Sequence, residues 1–524
     1  MTEYDDKGLP QESKSYWLEG VDLPAFPSLE ENRKVDVAIV GGGIAGITSA
    51  YLLTEKGYKV ALLDSDTLLH GTTGHTTAKV TAQHGLIYDE LIQNIGEKKA
   101  KKYYRANLEA LQFIQNMVEQ QEIDCDFRKQ DAYLYATSDE DIHKLKKEAK
   151  AYDRLGIDGE LIDSLPLTDI KVKKALVMKN QAQFHPTKYL SKLVQKMHAK
   201  GAYIYENTTA VNINSDKETK VMTRNGKEIK ADKVLVCSHF PFYEGTGLYS
   251  ARMHASRSYI LAAKTKKKFP GGMYISVGQP TRSLRSVEIN GENMVLIVGE
   301  SHKTGQGEDT MKHYQALEDF GQKTFGLDQV VYRWSAQDLI TLDKVPFIGK
   351  ITANQPHTLI ATGFRKWGMS NGTAAALLLT DLVTGDGNTY ADLFTPLRFN
   401  AKPGLKNILV DNANVVGQLV KGKIELPDDK LKNLSIDEGA VIMIKGERKG
   451  AYKDKQGNVY VVDTTCTHVG CEVGWNGAER SWDCPCHGSR FSYTGEVIEG
   501  PAETPLKRYD YHMLDNLTSK DSGY

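Results

Sequence analysis

Short apolar runs and helical periodicity alternate in the first part of the chain. Residues 35–66 begin with an apolar run, pass through a glycine turn into a stretch with Ala and Leu at three- and four-residue spacing, and end in a second apolar run. This order predicts a strand, turn, helix, strand unit. Amphipathic stretches near 97–121 and 140–155 predict two further helices. Residues 1–34 are polar with scattered aromatic side chains, which indicates an extended arm.

The middle and the end of the chain have different patterns. Turn signals such as Asn225-Gly226 punctuate residues 203–300 and predict an antiparallel sheet with helices. Residues 358–384 run from a short strand through a glycine turn into an Ala/Leu-rich helix that ends near Gly385. The predicted divisions are an arm at 1–34, a main domain at 35–400, a connector at 401–422, a small all-β domain at 423–515 and a tail at 516–524.

Composition narrows the function class. The 524 residues include 66 Lys+Arg against 67 Asp+Glu, a net charge of -1, and 25% are charged, which indicates two or three globular domains. No basic field favours nucleic acid as a partner. The acidic N-terminus is unlike a secretory signal, and no run of about 18 apolar residues predicts a transmembrane segment. We therefore expect a cytoplasmic protein.

The glycine turn carries a dinucleotide signature. Residues 41–46 have the G-x-G-x-x-G spacing directly after the first predicted strand. In this motif Gly41 permits the turn, Gly43 lets the backbone approach a pyrophosphate and Gly46 allows close helix packing. Asp64 ends the second strand, where a carboxylate can accept hydrogen bonds from a ribose diol. The ordered context predicts a dinucleotide site.

Four segments identify a family. Residues 70–78, 231–239, 343–349 and 361–368 resemble the FAD-dependent D-amino-acid oxidase family, which includes sarcosine and dimethylglycine dehydrogenases, and the resemblance covers about 35–398. It implies FAD as cofactor, with the first and last segments bordering the isoalloxazine ring. It also implies that the helix after residue 368 directs its positive end at the flavin N1/C2 carbonyl locus, which would stabilise the anionic reduced flavin.

The motif and the resemblance together nominate the flavin contacts. They are Gly41, Gly43, Ile44, Ala45, Gly46, Asp64, Ser65, Thr72, Thr73, His75, Thr76, Ala78, Val211, Ser238, Gly349, Gly363, Phe364, Lys366, Trp367 and Gly368. His75 has two interpretations, because some dehydrogenases of the family attach the flavin covalently through a histidine in a similar setting, whereas an ordinary histidine would hydrogen-bond near the ring or the phosphate. A single dinucleotide motif argues against a second NAD(P)H domain.

Four of the six cysteines are clustered near the C-terminus. Cys125 and Cys237 stand alone and are typical of small buried hydrophobic residues. The pairs Cys466-x-His468 and Cys484-x-x-His487 match a Rieske 2Fe-2S centre, with two thiolates on one iron and two imidazoles on the other. A Cys2His2 zinc site is the competing interpretation, but the C-x-H spacing is short for a zinc knuckle and two cysteines would be left over.

This cluster also resembles the Rieske proteins of respiratory quinol-oxidising complexes. The resemblance implies a disulfide between Cys471 and Cys486, a covering loop at 500–502 and a hydrogen bond from Ser489 to a cluster sulfide. Phe491 departs from the pattern, because those proteins carry a tyrosine there. One hydrogen bond fewer is expected to lower the potential within the Rieske span of roughly -150 to +300 mV.

The fold class that follows is α/β, with a Rossmann-type FAD-binding domain and an antiparallel-sheet substrate region, plus a small all-β Rieske domain. The resemblance implies hydride transfer from a carbon next to an amine nitrogen. We expect a dehydrogenase of an amine or amino acid, perhaps N-methylated, that passes electrons singly through the cluster to an acceptor protein or a quinone. Catalytic residues are not assigned; Arg257, Arg333 and Arg365 are candidates for a substrate carboxylate or for structural ion pairs.

Two other functions stay open. The protein could be an electron-transfer module, in which the cluster exchanges electrons with a partner and the flavin serves an unknown acceptor. The Rieske domain could also be a docking element with a redox-idle cluster, although the complete ligand set argues against this. A Rieske oxygenase is disfavoured, since no compact two-histidine, one-carboxylate iron site stands out among the 14 histidines.

Overall fold

The computed structural model describes residues 3–5, 8–215, 218–307, 309–398, 414–415, 417–419, 434–444 and 446–510. The chain divides into two compact units, and each is described by itself. The first comprises Met1–Tyr249, Ser258–Ser301 and His313–Leu405; the second comprises Ser250–Arg257, His302–Lys312 and Lys406–Tyr524. Most of the predicted connector at 401–422 and all of the predicted tail at 516–524 lie outside the described residues.

Strands and helices are numbered along the chain. The strands are β1 Arg33–Val40, β2 Val60–Leu63, β3 Lys79–Val80, β4 Arg128–Ala136, β5 Glu160–Ile162, β6 Lys174–Gln183, β7 Tyr203–Tyr205, β8 Ala210–Asn214, β9 Lys220–Thr223, β10 Glu228–Val236, β11 Met253–Thr265, β12 Met273–Ser276, β13 Arg282–Ile289, β14 Glu292–Lys303, β15 Leu327–Thr341, β16 Phe347–Lys350, β17 Thr358–Thr362, β18 Glu438–Ile444, β19 Glu447–Lys453, β20 Val459–Asp463, β21 Gly474–Asn476, β22 Ser481–Asp483, β23 Arg490–Ser492, β24 Val497–Glu499 and β25 Arg508–Tyr509. The helices are α1 Ile44–Glu55, α2 Tyr88–Ile95, α3 Glu97–Gln120, α4 Asp139–Leu155, α5 Pro186–Ala199, α6 Met311–Phe325, α7 Gly368–Thr384 and α8 Ala391–Phe394.

The first unit contains an eight-stranded sheet whose main path is β16-β17-β10-β1-β2-β7. Strands β17, β10, β1, β2 and β7 are parallel, and Val37 of β1 lies between Val60 of β2 and Lys233 of β10. The inner residues of these strands are mostly buried and apolar, as expected for a sheet covered on both faces. Helix α1 joins β1 to β2, which confirms the predicted strand, turn, helix, strand unit.

Residues 203–236 differ from the predicted antiparallel arrangement. The Asn225-Gly226 turn joins β9 and β10 as an antiparallel hairpin, but β10 then continues between β1 and β17 as a parallel strand. The end of β10, Val234-Leu235-Val236, is almost completely buried. Burial on both faces places this strand in the centre of the parallel sheet, and the local turn signal does not reveal that position.

A second sheet follows the order β15-β11-β14-β13-β12-β4-β6-β3, with β5 beside β6. From β14 to β3 its pairings are antiparallel, except that β12 and β4 are parallel. Helices α3 and α4 match the two predicted helices. Helix α4 begins where the Ser138 hydroxyl accepts the backbone N-H of Asp141 at 3.2 Å, and it ends at Gly156 in the left-handed region.

The second unit contains two four-stranded antiparallel sheets, β18-β19-β20-β25 and β21-β22-β23-β24. Trp482 is fully buried, and a methyl group on Gly450 would lie 2.7 Å from its ring. Residues 302–312 join this unit through Thr310, whose hydroxyl donates to the side-chain oxygen of Asn476 at 2.7 Å. None of the described helices is both long and apolar enough to span a membrane.

Candidate functional site

The turn between β1 and α1 requires glycine because of close approaches. Gly41 has a φ of +112°, and a methyl group there would lie 2.4 Å from the carbonyl oxygen of Cys237. A methyl group on Gly46 would lie 1.9 Å from the carbonyl oxygen of Gly41. Side chains are therefore excluded at both positions, because each would collide with main-chain atoms.

The N-termini of α1 and α7 lie side by side. A methyl group on Gly372 of α7 would lie 2.7 Å from Cγ2 of Ile44 on α1. No described side chain caps either helix at its N-cap residue, Gly43 or Trp367, although Thr73 Oγ1 accepts the N-H of Ile44 at 3.1 Å. Two adjacent helix N-termini whose N-cap residues provide no side-chain cap offer N-H groups and positive dipole ends, so the residues present fit a bound dinucleotide.

Asp64 braces the glycine turn. Its Oδ2 accepts the N-H of Gly42 at 2.6 Å, and its Oδ1 accepts the N-H of Asp66 at 3.0 Å. Burial raises the pKa of this carboxyl group to about 6. Each carboxylate oxygen keeps a further lone pair that is available to a ribose diol. The contact between Asp64 and the ribose stays a prediction.

A second carboxylate at this edge of the sheet is missing from the sequence-based candidates. Glu206 is buried and accepts the N-H of Leu68 at 2.8 Å and the N-H of Phe26 at 3.0 Å. It orders the backbone that follows β2. Its partners lie 138 and 180 residues away in the chain, so no local pattern points to it.

The segment after β2 forms a 3-10 turn, Thr72–His75. The Nδ1 of His75 donates to the carbonyl oxygen of Gly71 at 3.0 Å. The Thr76 hydroxyl accepts the N-H of Ala78 at 3.0 Å, and Ala78 has a φ of +56°. These hydrogen bonds fix the segment that the family resemblance places beside the flavin, and both interpretations of His75 remain predictions.

The loop at 363–368 is held by a buried histidine. The Trp367 ring stacks on His84 with centroids 4.7 Å apart and an interplanar angle of 15°. His84 donates from Nε2 to the carbonyl oxygen of Thr81 at 2.8 Å and accepts the Tyr103 hydroxyl at Nδ1 at 2.7 Å. Burial lowers the pKa of His84, so the ring is neutral. Arg365 donates to the His84 carbonyl oxygen at 2.9 Å, which ties the loop to the same residue.

The side chains of this loop point in different directions. The Nζ of Lys366 lies 2.8 Å from Ser258 Oγ on β11 and 2.5 Å from Ser301 Oγ on β14. The Phe364 ring would lie 3.6 Å from a methyl group on Gly372. The loop therefore contacts both α7 and the second sheet.

The other predicted flavin contacts are spread along the first sheet. Ser238 lies against the glycine turn, because a methyl group on Gly41 would be 2.8 Å from its nitrogen, and its hydroxyl donates to the carbonyl oxygen of Phe240. Ser65 is exposed directly after β2, and Val211 is half-buried on the hairpin strand β8. The remaining two are glycines with positive φ: Gly349 at +137° and Gly363 at +78°.

The three candidate arginines have protein partners. Arg257, in the second unit, forms an ion pair of 2.8 Å with Glu499, and Arg333 donates to main-chain carbonyl oxygens of Pro10 and Gln11. Arg365 donates to a main-chain carbonyl as described above. The partners of Arg257 and Arg333 favour the structural interpretation of these two side chains.

Four ligand candidates of the second unit lie on two loops, 464–473 and 484–489, that follow β20 and β22. In the first loop the N-H of Cys466 donates to the carbonyl oxygen of Cys471 at 2.8 Å. In the second loop the N-H of Cys484 donates to the carbonyl oxygen of Ser489 at 2.8 Å. These tight turns place the predicted ligand pairs at the tips of neighbouring loops.

The chemistry of the four side chains fits an iron-sulfur cluster. The rings of His468 and His487 are 5.1 Å apart, and the buried Nδ1 of His487 has no hydrogen-bond partner among the described residues. Burial lowers the pKa of His487 to about 4, which keeps the imidazole neutral, as a ligand must be. The Cys484 thiol hydrogen-bonds to Cys466 and lowers the pKa of the Cys466 thiol, so the two sulfurs are neighbours. The ligand roles stay predictions.

A disulfide joins the two loops. Cys471 and Cys486 are bonded, which confirms the predicted pair and leaves Cys466 and Cys484 as free thiols. The Ser489 hydroxyl accepts the N-H of Ala502 at 3.0 Å and hydrogen-bonds to Cys466. The predicted covering segment is therefore attached to the second ligand loop.

Comparisons with known proteins agree with both predicted cofactors. A family model described as FAD dependent oxidoreductase matches residues 36–382, and a model described as Rieske [2Fe-2S] domain matches residues 418–510. A curated relative, "Putative Rieske 2Fe-2S iron-sulfur protein YhfW" of Bacillus subtilis, is 49% identical over 95% of this chain and 97% of its own length.

Two further proteins resemble only the larger part of the chain. Gamma-glutamylputrescine oxidoreductase of Escherichia coli is 22% identical over 77% of this chain and 96% of its own length. The crystal structure of glycine oxidase from Geobacillus kaustophilus superimposes with a TM-score of 0.58 at 17% identity, covering 70% of this chain and 99% of that one. The structural likeness shows the fold of the first unit.

Proposed function

This chain belongs to the family of FAD-dependent oxidoreductases and carries a Rieske domain, and on that premise we propose that it is a dehydrogenase that delivers single electrons to an external acceptor. Its cofactors are FAD and one Rieske 2Fe-2S cluster, and its donors are amines or amino acids. The acceptor is a one-electron carrier protein or a quinone, and the compartment is the cytoplasm.

One observation carries this proposal: a single chain holds both a dinucleotide cradle and a complete Cys2His2 cluster ligand set. When bound, FAD takes up a hydride as two electrons together, whereas a 2Fe-2S cluster passes one electron at a time. A chain with both centres therefore converts two-electron oxidation into one-electron delivery.

The chain's own residues supply binding and orientation. The adjacent N-termini of α1 and α7 would offer N-H groups to the pyrophosphate and to the ring carbonyl of bound FAD. The stacking of Trp367 on His84 fixes the loop beside them. In the second unit, Cys466, His468, Cys484 and His487 would hold the cluster, and the Cys471–Cys486 disulfide holds the ligand loops together.

The test is an anaerobic titration of the purified protein with primary and N-methylated amines and amino acids. Flavin absorbance and the EPR signal of the reduced cluster are followed together. We expect one donor class to bleach the flavin while the cluster signal rises. If no donor bleaches the flavin while dithionite reduces both centres, substrate oxidation is rejected and the electron-transfer module replaces it.

A cluster-free variant sharpens the test. In Cys484→Ser we expect the same donor to bleach the flavin with no EPR signal, and reduction of cytochrome c to fall at least about tenfold, because the one-electron route is lost. Cys125→Ser is the matched control, since Cys125 is a buried free cysteine of the first unit. Unchanged cytochrome c reduction in Cys484→Ser would show that the cluster is not the exit.

A further inference from the structure

Residues 302–312 run from the end of β14 into α6 and pack on one of the predicted ligand loops of the second unit. The oxidoreductase model matches this stretch, whereas the Rieske model begins only at residue 418. Gly305 has a φ of +71°, and a methyl group there would lie 2.5 Å from the carbonyl carbon of Cys484 and 2.6 Å from the nitrogen of Pro485. The segment therefore contacts the main chain at a predicted cluster ligand.

The next residue, Gln306, binds the same loop through its side chain. Its Nε2 donates to the carbonyl oxygen of Pro485 at 3.1 Å and to the side-chain oxygen of Asn414 at 2.7 Å. An amide nitrogen carries two hydrogens, and here each of them has an acceptor. The two acceptors together fix the orientation of the Gln306 amide group at the Pro485 carbonyl.

The peptide unit that Gln306 binds also contacts the ligand sulfur. The backbone N-H groups of Cys486 and His487 hydrogen-bond to the Cys484 sulfur. The Pro485 carbonyl and the Cys486 N-H belong to one planar peptide unit. A donor at the carbonyl oxygen polarises this unit and strengthens its N-H as a donor, because consecutive hydrogen bonds reinforce one another. The Gln306 amide therefore acts on the Cys484 sulfur through one peptide unit.

A second contact of the segment holds the residue that precedes the ligand. The Thr310 hydroxyl donates to Oδ1 of Asn476 at 2.7 Å, and Nδ2 of Asn476 donates to Oδ2 of Asp483 at 2.7 Å. Thr310 also accepts the N-H of Ala478 at 3.0 Å, and Asp483 is buried. The segment is therefore anchored to the second unit at Gln306 and again at Thr310.

We propose that Gln306 is a positioning residue that raises the reduction potential of the cluster through the Pro485–Cys486 peptide. This inference rests on the proposed function, because it requires Cys484 to be a cluster ligand. Hydrogen bonds to a ligand sulfur stabilise the reduced cluster, which carries one more negative charge, and so they raise its potential. The tuning contact comes from a stretch that precedes the residues matched by the Rieske model.

The experiment is a redox titration of the purified full-length protein without substrate, with the EPR signal of the reduced cluster as the readout. Gln306→Leu removes the amide donor, and Gln306→Glu keeps its shape but offers only acceptor oxygens at neutral pH. At the wild-type midpoint potential we expect the ratio of reduced to oxidised cluster to fall about threefold in Gln306→Leu, which is about 30 mV at 59 mV per tenfold. The ratio should fall further in Gln306→Glu, because the added negative charge opposes reduction.

Asn414→Ala is the matched control for the amide contact. It removes the other acceptor of the Gln306 side chain and leaves the Pro485 carbonyl in place. We expect the wild-type midpoint potential in Asn414→Ala. Equal midpoints in wild type and Gln306→Leu would overturn the proposal, and so would an equal fall in Asn414→Ala and Gln306→Leu.

Two glycine variants test the same contact without removing a hydrogen-bonding group. In Gly305→Ala the methyl group must displace the segment from Cys484, so the ratio should fall as it does in Gln306→Leu. Gly307→Ala is the matched control, because Gly307 also has a positive φ, +111°, and nothing lies within 4 Å of a methyl group there. Equal shifts in both glycine variants would overturn the assignment. A wild-type protein that gives no 2Fe-2S signal after reduction would instead reject the proposed function.

Discussion

The two cofactor sites of this chain are built in different ways. The proposed flavin site is made mainly of backbone: glycines that exclude side chains, and the paired N-termini of α1 and α7. The proposed cluster site is made of side chains, two cysteines and two histidines on loops that a disulfide joins. A backbone site is sensitive to added volume, whereas a side-chain site is sensitive to lost ligands and to loosened loops.

The largest expected effect comes from adding one methyl group to the glycine turn of the proposed flavin site. In Gly46→Ala the new methyl group would lie 1.9 Å from the Gly41 carbonyl oxygen, so α1 must shift away from the turn. We expect at least about 10²-fold weaker FAD binding with full cluster occupancy, measured by flavin and iron content. Gly387→Ala is the control, because nothing lies within 4 Å of a methyl group there. Equal loss of both cofactors would show that the added methyl group does not act on the flavin site alone.

The same contrast explains what could be predicted from the sequence. Local patterns can be recognised from the sequence alone. They include the glycine spacing, the periodicity of helices α3 and α4, and the Cys-His pairs. The contact of Lys366 with Ser258 spans 108 positions, and that of Arg365 with His84 spans 281. Such contacts depend on how strands and helices pack, so the hydrogen-bond network of the 363–368 loop became visible only in the fold.

A smaller effect is expected from removing the Cys471–Cys486 disulfide, which joins the two loops of the proposed cluster site. Cys471→Ala with Cys486→Ala opens a link between residues 15 positions apart, which contributes about 3 kcal/mol in the loop-entropy model. We expect the temperature of cluster loss, read from visible absorbance, to fall by several degrees while the temperature of flavin release stays constant. Cys125→Ala serves as the control. A parallel fall in flavin release would mean that the disulfide supports more than the cluster loops.

The smallest effect concerns Asp64, a titratable side chain that braces the glycine turn of the proposed flavin site. Burial raises the pKa of Asp64 from 3.8 to about 6, so the folded state holds this proton more tightly than the unfolded state. Its contribution to stability is therefore greatest below pH 4 and declines as pH rises to about 6, by at most roughly 3 kcal/mol. Unfolding of flavin-free protein between pH 4 and 7, followed by tryptophan fluorescence, should show a shallower decline in Asp64→Asn.

Asp66 offers a control of opposite sign for that measurement. A hydrogen bond from His70 lowers the pKa of Asp66, so its contribution is present above pH 4 and is lost as pH falls. Asp66→Asn should therefore weaken stability at neutral pH and leave the decline caused by Asp64 in place. If Asp64→Asn behaves like Asp66→Asn, the Asp64 carboxylate is stabilised as a charge in the fold. The glycine turn of the proposed flavin site would then depend on a charged side chain, as the proposed cluster site depends on its side chains.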